Sequence, residues 1–197
     1  MVSNPEDKRW PDYHDAPRDA TFALGVIGTG YARLEWVFAA VFAATIDLRS
    51  AFTWSLLPKI NNDVRVKLIE EALPVHGYGP DVEDRIMHFL AAYKSLAFNR
   101  NMLMHSHISS GGATTSILFK TQRDGKTVAC QVPLAQLREI ADQMQAYRVF
   151  GRALANHISM HRDGVLLFPE GIAPFPLPDK PSLPSRLEYT SDPIRYR

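Results

Sequence analysis

Apolar side chains recur at helical spacing along most of this chain, and the breaks in that rhythm divide it into elements. From Phe22 to about Arg49, the positions Leu24, Ile27, Tyr31, Leu34, Phe38, Val41, Phe42 and Ile46 fall on one helical face. Gly25, Gly28 and Gly30 weaken the front of that helix. A second helical segment runs from about Ala51 to Leu73, with a bend expected at Pro58. Pro74, Gly77, Gly79 and Pro80 then make a turn. A third helix is expected from near Asp81, where Glu83 and Asp84 suit the positive end of the helix dipole, to about His105. Ile86, Leu90, Tyr93 and Ala97 line its buried face, and Ser109-Ser110-Gly111-Gly112 ends it.

The period then shortens. Thr114 to Thr121 and Thr127 to Val132, joined through Asp124-Gly125, read as a β-hairpin. Pro133 opens a long fourth helix to about Met160, with Leu137, Ile140, Met144, Tyr147, Gly151, Leu154 and Ile158 on one side. Beyond it, seven of the last 29 residues are proline, which forbids helix or central strand. Leu166, Leu167, Phe168, Phe175 and Leu177 are too apolar for a solvated linker. An extended segment pressed on the helical body or on a partner subunit is therefore expected. The predicted organisation is an irregular arm over residues 1–19, a helical domain over 20–162 and a Pro-rich extended tail over 163–197. The expected fold is mainly α: an up-and-down bundle of four to five helices with one short hairpin between helices three and four.

Composition narrows the function classes. The 197 residues are 46% hydrophobic and 22% charged, ordinary globular usage for a chain able to bury roughly 70% of its unfolded surface. A formal net charge of +1 gives no overall field toward nucleic acid or anionic lipid, so a nucleic-acid site would have to be a local patch. Cys130 is the only cysteine, which excludes an internal disulfide framework and suits a reducing compartment. The first twenty residues are polar, and the longest apolar run, Trp36 to Ala44, is too short for a membrane span. The chain reads as soluble and cytoplasmic, with no membrane partner.

The glycines of helix one do not form a phosphate loop. Arg33 stands where a dinucleotide fingerprint needs its third glycine, and no Walker lysine follows. Close packing of helix one is the expected reason for them. Glu35 shares the apolar stripe with Tyr31, Phe38, Phe42 and Ile46, so a cation or donor should face it, Arg100 being the first choice. A carboxylate reaching water at the stripe's edge is the alternative. His157 and His161 stand at i, i+4, a ligand spacing, but without an acidic third ligand; neither metal nor cofactor is expected. Arg138, Arg148 and Arg152 lie partly off the apolar stripe of helix four, as an RNA-facing patch or as solvated surface.

The strongest motif is Arg100-Asn101-Met102-Leu103-Met104-His105, at the end of a long apolar helix and just before a Ser/Gly loop. Arg9…His14 and Arg152…His157 have the same spacing but lack the adjacent asparagine and that position. The segment resembles the Arg-Asn-x-x-x-His signature of the HEPN superfamily. Leu24-Gly25 followed by Tyr31-Ala32-Arg33-Leu34-Glu35 resembles a first-helix pattern of HEPN-like proteins, and the likeness covers about residues 20 to 160. That chemistry needs no metal: a ribose 2′-hydroxyl loses a proton, attacks the neighbouring phosphate and expels a 5′-oxygen. His105 titrates near neutrality and suits the general acid or base, and the planar fork of Arg100 suits the phosphate. Asn101 is one helical turn from His105 and can orient its ring, with Glu35 supporting Arg100 or His105 from helix one. Arg100 lies roughly 140° from His105 around one helix. The resemblance implies that two protomers pair so that both copies converge in one cleft. It implies a homodimeric endoribonuclease, acting on RNA as a toxin or defence effector, with an antitoxin or regulatory protein as partner. The alternative is a non-catalytic helical interaction protein that binds through a groove or its Pro-rich tail.

Overall fold

The computed structural model describes residues 17–46, 55–112, 114–121, 127–162 and 176–188. Within them the protein is mainly helical, with a small three-stranded antiparallel sheet. Helix α1 (Arg18–Thr45) follows Pro17 and runs unbroken through its three glycines. The segment expected from Ala51 is divided: residues 47–54 lie outside the described residues, and Pro58 sits in a 3-10 turn, Leu57–Lys59. The chain restarts at α2 (Asn62–His76), where the Asn61 side chain caps the Val64 N–H at 2.9 Å. Pro74 does not end α2 as its sequence position suggested. It falls in the last turn, and the stop comes at Gly77, whose φ of 62° is a left-handed cap.

Helix α3 (Pro80–Met104) carries proline at its first position and Asp81 and Glu83 in its first turn. It ends at His105, whose N–H reaches the Asn101 carbonyl at 3.2 Å, while Ser106 Oγ donates back to Met102 O at 2.5 Å. The chain then enters β1 (His107–Ser110), a strand the hairpin expectation omitted. It pairs with β2 (Thr115–Thr121), Ile108 facing Leu118, and β2 pairs with β3 (Thr127–Pro133), Leu118 facing Cys130. With one large apolar residue in four, His-Ile-Ser-Ser gives little alternation to read. The turn before β2 requires glycine at Gly111, where a Cβ would sit 2.8 Å from Ile117 Cγ1. The Asp124-Gly125 turn lies outside the described residues.

Helix α4 (Leu134–Arg162) packs along α1, and α3 packs against both. Ile27, Leu34, Phe38, Phe42, Phe89, Leu90, Leu96, Tyr147 and Leu154 form the centre of the core. Gly28 and Gly30 do not mark the tightest approach: a Cβ there would meet Met104 at 3.6 Å and Met144 at 3.7 Å, ordinary contact distances. The tight point is Gly151, where a Cβ would stand 2.4 Å from Phe89 Cε2 and 2.7 Å from Val37 Cγ1. Its absence lets three helices meet. By length and composition α1 is the one described helix able to cross a membrane, yet its apolar stripe is committed to this core.

Residues 176–188 form an extended strap along α3. Arg85 Nε donates to Pro178 O at 2.9 Å, and near the far end of the helix Asn99 donates to Ser185 O at 2.9 Å while accepting from Leu187 N–H at 2.8 Å. Those anchors lie about 21 Å apart along a helix rising 1.5 Å per residue. At about 3.1 Å per residue an extended proline-rich strand covers roughly 22–28 Å from Pro178 to Ser185 or Leu187, so the strap runs the same length of α3 with about half as many residues. Leu187 and Pro184 are buried and Leu177 half-buried. The expected apolar anchors Leu166, Leu167, Phe168 and Phe175 lie outside the described residues, as do residues 1–16 of the expected arm.

Candidate functional site

The proposed motif borders a polar cleft of about 440 Å³, lined among others by Tyr31, Asn62, Tyr93, Lys94, Asn101 and Arg186. Four elements build it. The start of α2 presents Asn62 and α3 presents Tyr93 and Lys94 and, about two turns on, Asn101, while α1 contributes Tyr31 and the strap Arg186. Behind it runs a chain of hydrogen bonds. Asn62 Nδ2 donates to Glu35 Oε1 at 3.0 Å and to Tyr93 Oη at 2.6 Å, and Tyr93 Oη meets Tyr31 Oη at 3.1 Å. The two rings stack with centroids 6.1 Å apart, and Phe38 stacks on Tyr93 at 4.1 Å.

Burial raises the pKa of both phenols, most of all that of Tyr93, which also faces Tyr31 and the Glu35 carboxylate. Both therefore keep their protons at neutral pH and act as hydrogen-bonding groups there.

The structure revises two expected partnerships. Glu35 does meet a donor, but the donor is the Asn62 amide and not Arg100. The reason is local. Capping by Asn61 fixes the start of α2 so that the next residue, Asn62, reaches toward α1, and a neutral amide satisfies the half-buried carboxylate. Arg100 turns instead to Asn101 and Tyr31: Nη1 donates to Asn101 Oδ1 at 3.0 Å, and Cζ lies 5.4 Å from the Tyr31 ring centroid. Asn101 thus holds the arginine, not the His105 ring. Arg100 Nε is buried without a hydrogen-bond partner. An unsatisfied buried donor of this kind is uncommon in a folded protein.

His105 is exposed at the C-cap of α3, outside the lining of the cleft, and His107 is exposed two residues on in β1. Within one protomer the motif is split, with Arg100 and Asn101 beside the cleft and His105 at the helix end. Arg152 is exposed on α4 while His157 is buried, so the pair that shares the motif's spacing does not present both side chains to solvent. The side chain of His161 lies outside the described residues, as does the Arg9…His14 pair.

Sequence reasoning missed Asn62, Tyr93 and Arg186 as cleft residues. Tyr93 was recognised as a core position, and Asn61-Asn62-Asp63 carries the signal of a helix start, but nothing local says that Asn62 answers Glu35. Arg186 reaches the cleft only because the strap returns along α3, with Cζ 5.2 Å from the Phe98 ring centroid. No family model, curated protein or solved structure matches this chain.

Proposed function

We propose that this chain is a metal-independent endoribonuclease of HEPN type, an up-and-down helical bundle that works as a cytoplasmic homodimer and serves as a toxin or defence effector under an antitoxin or regulatory partner. The observation that carries this reading is the state of Arg100. Its guanidinium is fixed by Asn101 and by the face of Tyr31 at the edge of a polar cleft, five residues before an exposed histidine.

In this proposal Arg100 binds the scissile phosphate and stabilises the charge that builds on it in the transition state. His105 removes the 2′-hydroxyl proton or protonates the leaving 5′-oxygen, and the second copy of His105 takes the other role across the dimer. Asn101 positions Arg100, and the chain of Glu35, Asn62, Tyr93 and Tyr31 holds the ring on which Arg100 rests. Pairing of two protomers brings the separated halves of the motif together, over an interface expected to exceed about 1,000 Å².

The test is cleavage of RNA by the purified protein in excess EDTA. Products should end in 2′,3′-cyclic phosphate, His105→Ala should abolish cleavage without unfolding the protein, and Arg100→Lys should cut the rate because a point charge cannot reproduce the fork. Absence of cleavage, together with a monomer in light scattering at micromolar concentration, would transfer the assignment to a helical interaction protein.

A further inference from the structure

The polar cleft receives one cation that the motif does not supply. Arg186 comes from the strap, is exposed, and holds its guanidinium over the ring of Phe98, which also lines the cleft. Lys94, Phe98 and Asn101 share one face of α3 there. Lys94 is answered by Glu70 at 3.0 Å, whereas Arg186 has no ion-pair partner among the described residues. Among those residues Asp63 is the one acid in the lining. A single buried amide fixes the strap on both sides of the arginine. Asn99 donates to Ser185 O and accepts from Leu187 N–H, so its two bonds bracket Arg186. The next residue on α3 is Arg100, whose Nη1 is held by Asn101. Phe98 and Asn101 stand three residues apart, a rise of about 4.5 Å along the helix. One turn of α3 therefore supports both guanidiniums, one resting on Phe98 and the other bonded to Asn101.

We infer that Arg186 is a second phosphate-binding residue of this site, gripping the RNA phosphate next to the scissile one, with Asn99 as its positioning residue. The inference rests on the ribonuclease proposal for its substrate class. A guanidinium lying on an aromatic face keeps its N–H edge free, and its planar fork matches two phosphate oxygens. One phosphate answers one fork. A nucleic-acid strand carries a charge at every nucleotide, so neighbouring phosphates answer both. Because Asn99 orders the strap in advance, binding does not have to immobilise a loose arginine. The strap thus does more than cover α3: it completes the cleft from a part of the chain remote from the motif.

The test compares two substrates with the full chain: a dinucleoside monophosphate, which has only the scissile phosphate, and a tetranucleotide. The parent should prefer the tetranucleotide, chiefly through a lower KM. Arg186→Gln should reduce that preference about tenfold, the loss expected for a charged hydrogen bond. Arg186→Lys, which keeps the charge without the fork, should restore part of it. Asn99→Ala should reduce the preference as well, and adding Arg186→Gln to it should change little. An arginine that only braces the strap would slow both substrates alike, and an unchanged preference overturns the inference while the ribonuclease reading stands. Calorimetry with a 2′-O-methyl tetranucleotide, which lacks the attacking hydroxyl, separates the opposite case. If the parent cleaves nothing yet binds this oligomer, and Arg186→Gln weakens binding about tenfold, the ribonuclease reading fails and the phosphate grip stands. Binding that Arg186→Gln leaves unaffected overturns the inference, and neither cleavage nor binding overturns both.

Discussion

One flank of α3 is closed by rings and aliphatic side chains from α1 and α4, whereas another is closed by main-chain carbonyls of the strap. On the first, Phe38, Phe89, Tyr93 and Phe150 form a continuous set of ring contacts with centroids 4.1 to 6.5 Å apart. On the second, Arg85, His88 and Asn99 meet Pro178, Pro181, Ser185 and Leu187 through their backbone groups. Apolar closure is non-directional and depends on filling volume. Polar closure depends on a few directed bonds, and each bond lost leaves a buried group unsatisfied. A proline-rich segment suits the second kind: prolines lack the N–H but keep the carbonyl, so the helix supplies donors and the strap acceptors. The exception is the Leu187 N–H, which donates to the side-chain amide oxygen (Oδ1) of Asn99.

The largest effects should come from the ring flank. Phe89→Ala removes a fully buried side chain and should cost about 3–5 kcal/mol in chemical denaturation. Gly151→Ala places a methyl group against Phe89 and Val37 and should cost about 1–3 kcal/mol through overpacking. The two positions should couple. Phe89→Leu, which removes the ring atoms nearest Gly151, should relieve part of the Gly151→Ala penalty, so the double variant should be less destabilised than the two singles together. Simple additivity would mean that the approach at Gly151 does not limit the packing.

Next in size is Asn99, fully buried and bonded to the strap through both ends of its amide. Asn99→Ala should cost about 1–3 kcal/mol and speed amide exchange at Leu187. Asn99→Leu, which restores volume without the bonds, should not recover the loss. If it does, the strap is held by packing and the contrast between the flanks disappears.

This contrast also explains what could be read in advance. The ring flank was legible because helical spacing puts Ile86, Leu90 and Tyr93 on one stripe, and a stripe predicts burial without naming its partner. The strap was legible only as an extended apolar tail, because its bonds join residues 86 to 93 positions apart and most use the backbone of the tail, whose bonding side chain identity does not encode. Asn99 sits one place before the motif and reads as an ordinary polar helix residue. The same limit applied at the candidate site. Arg100, Asn101 and His105 were found from their order in the chain, but Asn62 as the partner of Glu35 depends on how α2 enters, and Arg186 on where the strap returns.

A smaller effect is expected at Tyr147, whose hydroxyl reaches His88 Nε2 at 2.8 Å, Pro181 O at 3.0 Å and Ser182 O at 3.2 Å. With His88 Nε2 also 2.8 Å from Pro181 O, the consistent arrangement has Nε2–H donating and the tyrosine hydrogen directed at the strap. Tyr147→Phe should cost about 0.5–1.5 kcal/mol. Burial pushes the Tyr147 pKa up to about 12. Because the folded value lies above the unfolded one, its contribution is complete below about pH 10 and is lost as pH rises toward 12. Alkaline unfolding of the parent and of Tyr147→Phe should therefore converge above pH 10. Parallel curves would mean that the phenol is not held as described.

The smallest effect belongs to the clasp between Lys180 and Asp84, where Nζ lies 2.7 Å from Oδ2 at the surface. The hydrogen bond from Lys180 is the main cause of a carboxyl pKa below its ordinary value. A depressed carboxyl contributes above its unfolded pKa and loses that contribution as pH falls through the folded one. Solvent and salt screen an exposed pair, so Asp84→Asn should leave the melting temperature nearly unchanged at neutral pH. Amide exchange is the more sensitive measurement. Lys180→Ala and Asp84→Asn should loosen the first part of the strap, around Asp179 to Ser182, and leave Leu187 protected by Asn99. Acidification of the parent protein below pH 4 should copy that pattern, and raised salt at neutral pH should do so more weakly. Exchange rising equally at Leu187 would show that the strap releases as one unit, making the polar flank as cooperative as the rings opposite it.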